Sequence, residues 1–538
     1  MPKLKTACLL AVVLSLIAVP AVRAQSSNLA ARLPADTLLY LYWRGAGSLT
    51  PGSRNALVSL WNDPGFQPAR QLILEGLVDA AARNPRLSQI PQKDIEALLA
   101  DPAVFGIRLA ARAGSAHAKP GLVAHGFLVM RATGTAGRDL RADLKSGPHG
   151  STNLRFTRSG LLLASDDPAT LDELAGRFGA SGTSTSKALS TLAAYREARA
   201  EIAGQPAVEF FLRVPEVSSL GPRTTPNFNT GAFLQSLHLE RVHLLCGSID
   251  LSHPAALVHL AILGDTSPGS LFDLFGANAA SFPTLAAAPV DASISVYRFD
   301  IGAVLSLLTN AFSAALGPQQ SARLRIISAL LAGTVVPALG GEYATIWPHL
   351  SSGKEDSLLA LTVNPEAAGK LFSTTLAPFV KPAGEEGGIR YFRPSAAGKN
   401  GAANGKEQPA LLALTPNLLL VSSDESLVRS RARAVTAATP PPGLAGTAGF
   451  RAARAELPAE LSGLSYFDLQ AFDWTEWIRK MAADMAKNKK NPHAGERARA
   501  LQKWADGEGG AVLSRHLHLV VAGAWKNDQG MHWRGQIQ

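Results

Sequence analysis

Two rhythms alternate along the chain. Leu38–Arg44 is dense in Leu and Tyr behind a Pro/Asp turn and predicts a strand. Val104–Ala110, Gly126–Ala132, Val208–Val214, Arg241–Leu251 and Ala256–Leu263 read the same way. Leu154–Phe156 and Leu161–Ala164 predict a hairpin around Arg158-Ser159-Gly160. Over Ala56–Ala82 the rhythm becomes helical at Leu57, Leu60, Leu72, Leu74 and Leu77, interrupted at Pro64 and Pro68. Arg138–Leu144 and Thr191–Ile202 predict shorter helices. Ser165-Asp166-Asp167-Pro168 closes a strand and opens a helix, as does Ser422-Ser423-Asp424-Glu425. A short polar side chain there can accept hydrogen bonds from the free amides of the first turn. These carboxylates therefore read as caps rather than as an acid–base or metal pair. Strands joined by short connections predict a mostly antiparallel sheet packed with helices, an α+β fold.

The pattern then recurs. Leu33–Tyr42 matches Ala288–Tyr297, and Ala194–Glu201 matches Gly449–Glu456, both at an offset of 255. Leu161–Ser165 matches Leu418–Ser422 at 257, and His243–Leu245 matches His518–Val520 at 275. Collinear matches of this kind predict two homologous halves, residues 25–280 and 281–538. The boundary falls near Ala277–Ala287. Drift in the offset places insertions in the second half near Arg393–Gln408 and Met481–Glu508, and an excess in the first near Ala111–Lys119.

The first 24 residues are patterned differently again. Lys3 and Lys5 precede an apolar run from about Ala7 to Val19, then Pro20 and Val22-Arg23-Ala24. This is the layout of a secretory signal peptide, cleaved after Ala24 to leave Gln25 first. The run is shorter than the ~20 residues a spanning helix needs. The expected location is therefore exported, periplasmic or extracellular. Loss of Lys3, Lys5 and Arg23 lowers the net charge from +10 to +7, and loss of Cys8 leaves Cys246 as the single thiol. An intramolecular disulfide is excluded. With 46% hydrophobic residues, the chain has ample material for a packed core instead.

A later apolar stretch, Ile326–Leu339, contains Pro337 and is too short to span a bilayer, so it is expected to be a buried core helix. The basic segment Lys487–Lys503 is expected to be a solvated loop. Its Lys487, Lys489, Lys490, Arg497 and Arg499 form a candidate contact for anionic lipid head groups, more natural partners for an exported chain than nucleic acid.

Catalytic patterns are sparse. Ser184-Thr185-Ser186-Lys187 fits S-x-x-K, but the accompanying Lys-Ser-Gly, Lys145–Gly147, precedes it in the wrong order. There is no G-x-S-x-G, phosphate loop, dinucleotide fingerprint, His-Glu-x-x-His or Cys-x-x-Cys. His516 and His518, two apart on an expected strand, share a face without an evident third ligand, although Asp506 and Glu508 lie upstream. Cys246 is matched by Val521 in the second half and reads as a packing residue. No residue is assigned to catalysis, to a cofactor or to a metal, and no cofactor is expected.

The L-P-x-D-T-x-x-Y opening at Leu33–Tyr40, the Gly340-Gly341-Glu342 turn before a strand, and the leucine strand running into Ser-Asp before a helix resemble a bacterial family of exported proteins classed as a domain of unknown function. The first half departs from it at the turn, with Val104-Phe105-Gly106. That resemblance implies no activity and no catalytic residue. The expected role is a non-enzymatic envelope protein binding a small molecule or another envelope protein. The alternatives are a hydrolase whose site converges only in three dimensions, or a structural module contacting anionic lipid.

Overall fold

A computed structural model describes residues 27–45, 53–82, 101–111, 122–132, 154–179, 187–202, 206–215, 224–225, 228–348, 357–395, 410–470, 472–487 and 493–538. The segment 1–24, residues 112–119, Arg138–Leu144, Lys145–Gly147, Ser184–Ser186, residues 396–408 of the first expected insertion, Lys489 and Lys490 lie outside these residues.

The first strands are β1 (Thr37–Trp43), β2 (Ala103–Ala111), β3 (Leu122–Arg131), β4 (Leu154–Phe156), β5 (Leu161–Ser165) and β6 (Val208–Arg213). A two-stranded ribbon follows, β7 (Thr224–Thr225) and β8 (Phe228–Asn229), then β9 (Val242–Asp250) and β10 (Ala256–Gly264). Further on come β11 (Ser293–Arg298), β12 (Leu339–Trp347), β13 (Leu358–Val363), β14 (Val380–Glu386) and β15 (Ile389–Pro394). The last are β16 (Leu411–Leu414), β17 (Leu418–Ser422), β18 (Gly463–Asp468), β19 (Leu519–Lys526) and β20 (Gly530–Ile537).

Apart from the ribbon, the described strands form one continuous sheet of 18 strands. From one edge the order is β4, β5, β3, β2, β1, β6, β9, β10, β20, β19, β18, β11, β12, β13, β17, β16, β15, β14, and every pairing is antiparallel. The protein is α+β, as its patterning predicts. At the centre, β10 and β20 pair over the full length of β20, from Ala256 opposite Ile537 to Leu263 opposite Gly530.

Alternating side chains commit each strand to two faces. On one face, Tyr40, Phe211, Leu244 and Ala261 pack beneath helices Pro168–Phe178 and Ala193–Glu201. Further along, Ile294, Ala360, Leu420 and Leu464 pack beneath Glu425–Thr436 and Ala448–Ala455. At the middle of the opposite face, a helical layer containing Ala56–Asn62, Trp474–Ala486, Ala494–Trp504 and Gly510–His516 surrounds Leu60, Phe66, Ile478, Trp504 and Val512. That core reaches Ala256 of β10 and Ile537 of β20. The expected caps are present: Asp167 Oδ2 accepts from Thr170 N at 2.8 Å, and Asp424 Oδ1 from Leu427 N at 3.1 Å.

Several local expectations are corrected. Pro64 divides the Ala56–Ala82 stretch, but Pro68 sits in the first turn of helix Gln67–Ala82, where a missing amide is harmless. Gly340-Gly341-Glu342 lies within β12 as a register shift rather than before it as a turn; Gly341 takes φ +79° there. The last turn of a helix, not a strand, carries His516, and His518 precedes β19. Much of the expected loop Lys487–Lys503 is helix Ala494–Trp504, because Ala494, Ala498 and Leu501 bury one face. The expected core helix at Ile326–Leu339 belongs to helix Pro318–Thr334, whose buried residues are Ser321 and Ser328 while Ile326 is 71% exposed; nor is it too short, because the helical run Pro318–Ala338 has 21 residues and is long and apolar enough to cross a membrane.

Candidate metal centre

The β10–β20 seam carries an unusual load on the face beneath helix Ala193–Glu201. His259 lies on β10 opposite Ser248 of β9 and Arg534 of β20. Two residues on, Ala261 lies opposite His532 of β20, which faces Trp525 of β19. Period-two alternation therefore places both histidines and the tryptophan on one face. The rings are nearly parallel: Trp525 and His532 lie 5.4 Å apart at 11°, and His259 and His532 6.2 Å apart at 11°. Tyr195 and Ala198 seat the helix on the sheet, and its last residue, Glu201, hangs over the pair.

Glu201 Oε2 is 3.2 Å from His532 Nδ1 and 3.9 Å from His259 Nε2. One ligand atom from each of the three residues lies within 4.8 Å of the others. His532 is 2% exposed, while His259 and Glu201 keep partial access at 15% and 20% of their side-chain surface. Burial lowers the pKa of His532, and it lowers that of His259 against the opposing pull of Glu201. Both rings are therefore held toward the neutral form, which binds metal.

For a neutral His532, the turn after β19 fixes which nitrogen carries the proton. Asn527 Oδ1 accepts from Gln529 N at 2.9 Å and from Gly530 N at 3.1 Å, which identifies that atom as the oxygen. His532 Nε2, 3.0 Å from the same oxygen, must be the donor. In a neutral imidazole, Nδ1 is then a lone pair facing a carboxylate oxygen at 3.2 Å. Among the described residues, neither His532 Nδ1 nor His259 Nε2 has a hydrogen-bond partner, and both atoms are buried. The turn needs its glycine: at Gly530 φ is +152°, and an added Cβ would lie 2.0 Å from the Ile262 carbonyl oxygen.

A second polar group lies on the same face. Glu209 of β6 faces Tyr42 on one side and Ser248 on the other, with β9 between it and His259. It accepts from the Tyr40 hydroxyl and from Arg199 Nη1, at 2.5 Å for the latter. Burial raises the Glu209 carboxyl pKa despite these donors. Burial and Glu209 together push the Tyr195 hydroxyl up to about 12. Cys246, on the neighbouring strand, is fully buried, and burial with the Glu201, Glu197 and Glu209 carboxylates raises its thiol to about 12. It is a packing residue, not a poised nucleophile.

The residues singled out in the sequence are dispersed. Lys487 ends helix Trp474–Ala486 and pairs with Asp484 at 2.7 Å. Arg499 is exposed. Arg497, instead of facing solvent, donates to the Glu75 carbonyl at 3.0 Å and docks its helix on Gln67–Ala82. His516 Nε2 meets Asp63 Oδ2 at 2.8 Å beside Arg515, whereas His518 is exposed. These two histidines do not share a site. Glu201, His259 and His532 escaped the sequence reading because no fixed spacing joins them. The available signal was a histidine inside an otherwise apolar strand, at His259 in Ala256–Leu263.

No protein-family model matches the chain, and no curated protein and no solved structure matches it.

Proposed function

We propose that the protein is an exported binding protein built from two homologous halves, and that it holds a divalent transition-metal ion at the seam between them. The ligands are Glu201 Oε2, His259 Nε2 and His532 Nδ1. The supporting observation is the convergence of these three atoms within 4.8 Å, with His532 Nε2 committed to Asn527 so that Nδ1 is the nitrogen facing the Glu201 carboxylate. Two lone pairs at this range repel, and a cation between them turns repulsion into coordination. Ligand bonds of ~2.0–2.1 Å in a tetrahedral site set ligand atoms ~3.3 Å apart, and the two distances to Glu201 straddle that value. Two imidazoles and one carboxylate suit zinc, with other late divalent ions as competitors. Three protein ligands leave a coordination position for water or a small ligand. Asn527 acts behind His532 by orienting it.

The strand order supports the two-half reading. β1, β2, β3 and β5 pair in series on one side, as β11, β12, β13 and β17 do on the other, and β6-β9-β10 mirrors β18-β19-β20 about the seam. The metal ligands come from both halves. Glu456, which matches Glu201, is exposed, so the site belongs to the seam and is not repeated.

Zinc titration of the dialysed protein, followed by calorimetry, tests the reading. One equivalent should bind, and Glu201→Gln and His259→Ala should each weaken it by tenfold or more. An absence of binding by the unaltered chain would overturn it. Export is tested separately: sequencing the N-terminus of secreted material should begin at Gln25, and an intact Met1 would refute cleavage.

A further inference from the structure

Helices Ile301–Ala315 and Pro318–Thr334 form an antiparallel hairpin between β11 and β12. A helix on the surface of a water-soluble protein turns its apolar stripe inward. This hairpin does the reverse. The buried residues of the second helix are Ser321 and Ser328, and those of the first are Ala311 and Ala315. Hydroxyls join the two helices: Ser328 Oγ bonds to Thr309 Oγ1, and Ser321 Oγ donates to the Ser313 carbonyl at 2.7 Å. Facing outward are Ile326, Ile327, Leu330 and Leu331, exposed by 71%, 55%, 57% and 36%. Leu308 and Phe312 of the first helix are exposed as well.

Small residues and hydroxyl bonds between helices, with aliphatic side chains outside, are how helices pack in lipid. Charge points the same way. Neither helix has an acidic residue, and their ionic side chains are Arg323 and Arg325, both exposed. Arg323 lies on the stripe of Ile326, Ile327 and Leu330, one turn before them. Phe233, on helix Thr230–Ser236, packs 5.1 Å from Phe312 and covers part of the first helix, leaving the outer face of the second open.

We propose that this hairpin docks on an anionic lipid bilayer. The Ile326–Leu331 stripe enters the boundary between head groups and acyl chains, and Arg323 and Arg325 reach the lipid phosphates. The hairpin lies in the surface rather than crossing it, because both ends are tied into the sheet and crossing would bury the arginines. This surface is independent of the metal site and differs from the Lys487–Arg499 segment.

The experiment is co-sedimentation of the full chain with vesicles of equal parts phosphatidylcholine and phosphatidylglycerol, against phosphatidylcholine alone. Binding should favour the anionic vesicles and weaken with salt. The double variant Ile326→Gln, Leu330→Gln should lose about tenfold or more of that binding. Arg323→Gln and Arg325→Gln should each lose about fivefold and reduce the salt dependence. All four side chains are exposed, so an unchanged thermal melt is expected and certifies folding. No sedimentation with either vesicle, or sedimentation indifferent to the Ile326/Leu330 change, overturns the proposal. So does a dimer in analytical ultracentrifugation that the same double variant dissolves, because a second copy would then be the occupant.

Discussion

Asn527→Ala probes the candidate centre without touching a ligand. The substitution removes the oxygen that accepts from His532 Nε2 and from two turn amides. The turn amides can recover water, but the ring nitrogen lies on a side chain 2% exposed. Stranding a buried donor costs ~1–3 kcal/mol, and because the proton can move to Nδ1 and donate to Glu201 Oε2, no more than that should be lost. His532 then becomes free to carry its proton on Nδ1, which blocks coordination. Removing such an orienting partner weakens metal binding ~10–100-fold, equivalent to about 1.4–2.7 kcal/mol. Asn527→Asp keeps an acceptor in place and should bind zinc close to the unaltered chain. Calorimetry measures the affinities, and nitrogen chemical shifts of histidine-labelled protein report the His532 tautomer directly. Equal zinc affinity in Asn527→Ala, or an Nδ1-protonated His532 in the unaltered metal-free protein, would refute the reasoning.

Other consequences follow from single sites. Cys246 should resist alkylation at pH 8 while folded and react fully in denaturant; rapid labelling of the folded chain would contradict both its burial and its raised thiol pKa. Asp167→Ala removes the cap that accepts from Thr170 N and should cost ~1 kcal/mol in a denaturant titration, while Asp167→Asn should cost less. Burial alone would raise the Asp63 carboxyl, but bonds from His516, Gly65 and Arg515 outweigh it and hold the pKa below the ordinary value. A depressed carboxyl stabilises the fold above the unfolded pKa of ~3.9 and loses that contribution as pH falls through the folded value. Asp63→Asn should therefore destabilise at neutral pH and converge with the unaltered chain in acid. A constant difference across that range would count against it.

Much of the architecture was legible because it is local. A strand such as β1 announces itself by consecutive Leu and Tyr positions, and caps such as Asp167 and Asp424 by their place before an apolar run. Cys246 was legible as a packing residue for the same reason. Helix Pro318–Thr334 misled because its composition is that of a core helix, and composition does not say which face meets the protein. The basic segment misled because charge density does not reveal that Ala494, Ala498 and Leu501 make a helix or that Arg497 meets Glu75.

The chain's local order settled most of the strands, the caps at Asp167 and Asp424, and the antiparallel tendency. Folding alone settled that β10 meets β20, bringing His532 beside His259 from 273 residues away and beneath Glu201. Closing a loop of that length costs little more than closing a shorter one, so sequence distance carries almost no information about which strand edges join. That pairing is chosen by hydrogen bonds and burial along the whole seam, and the site exists only because it was made.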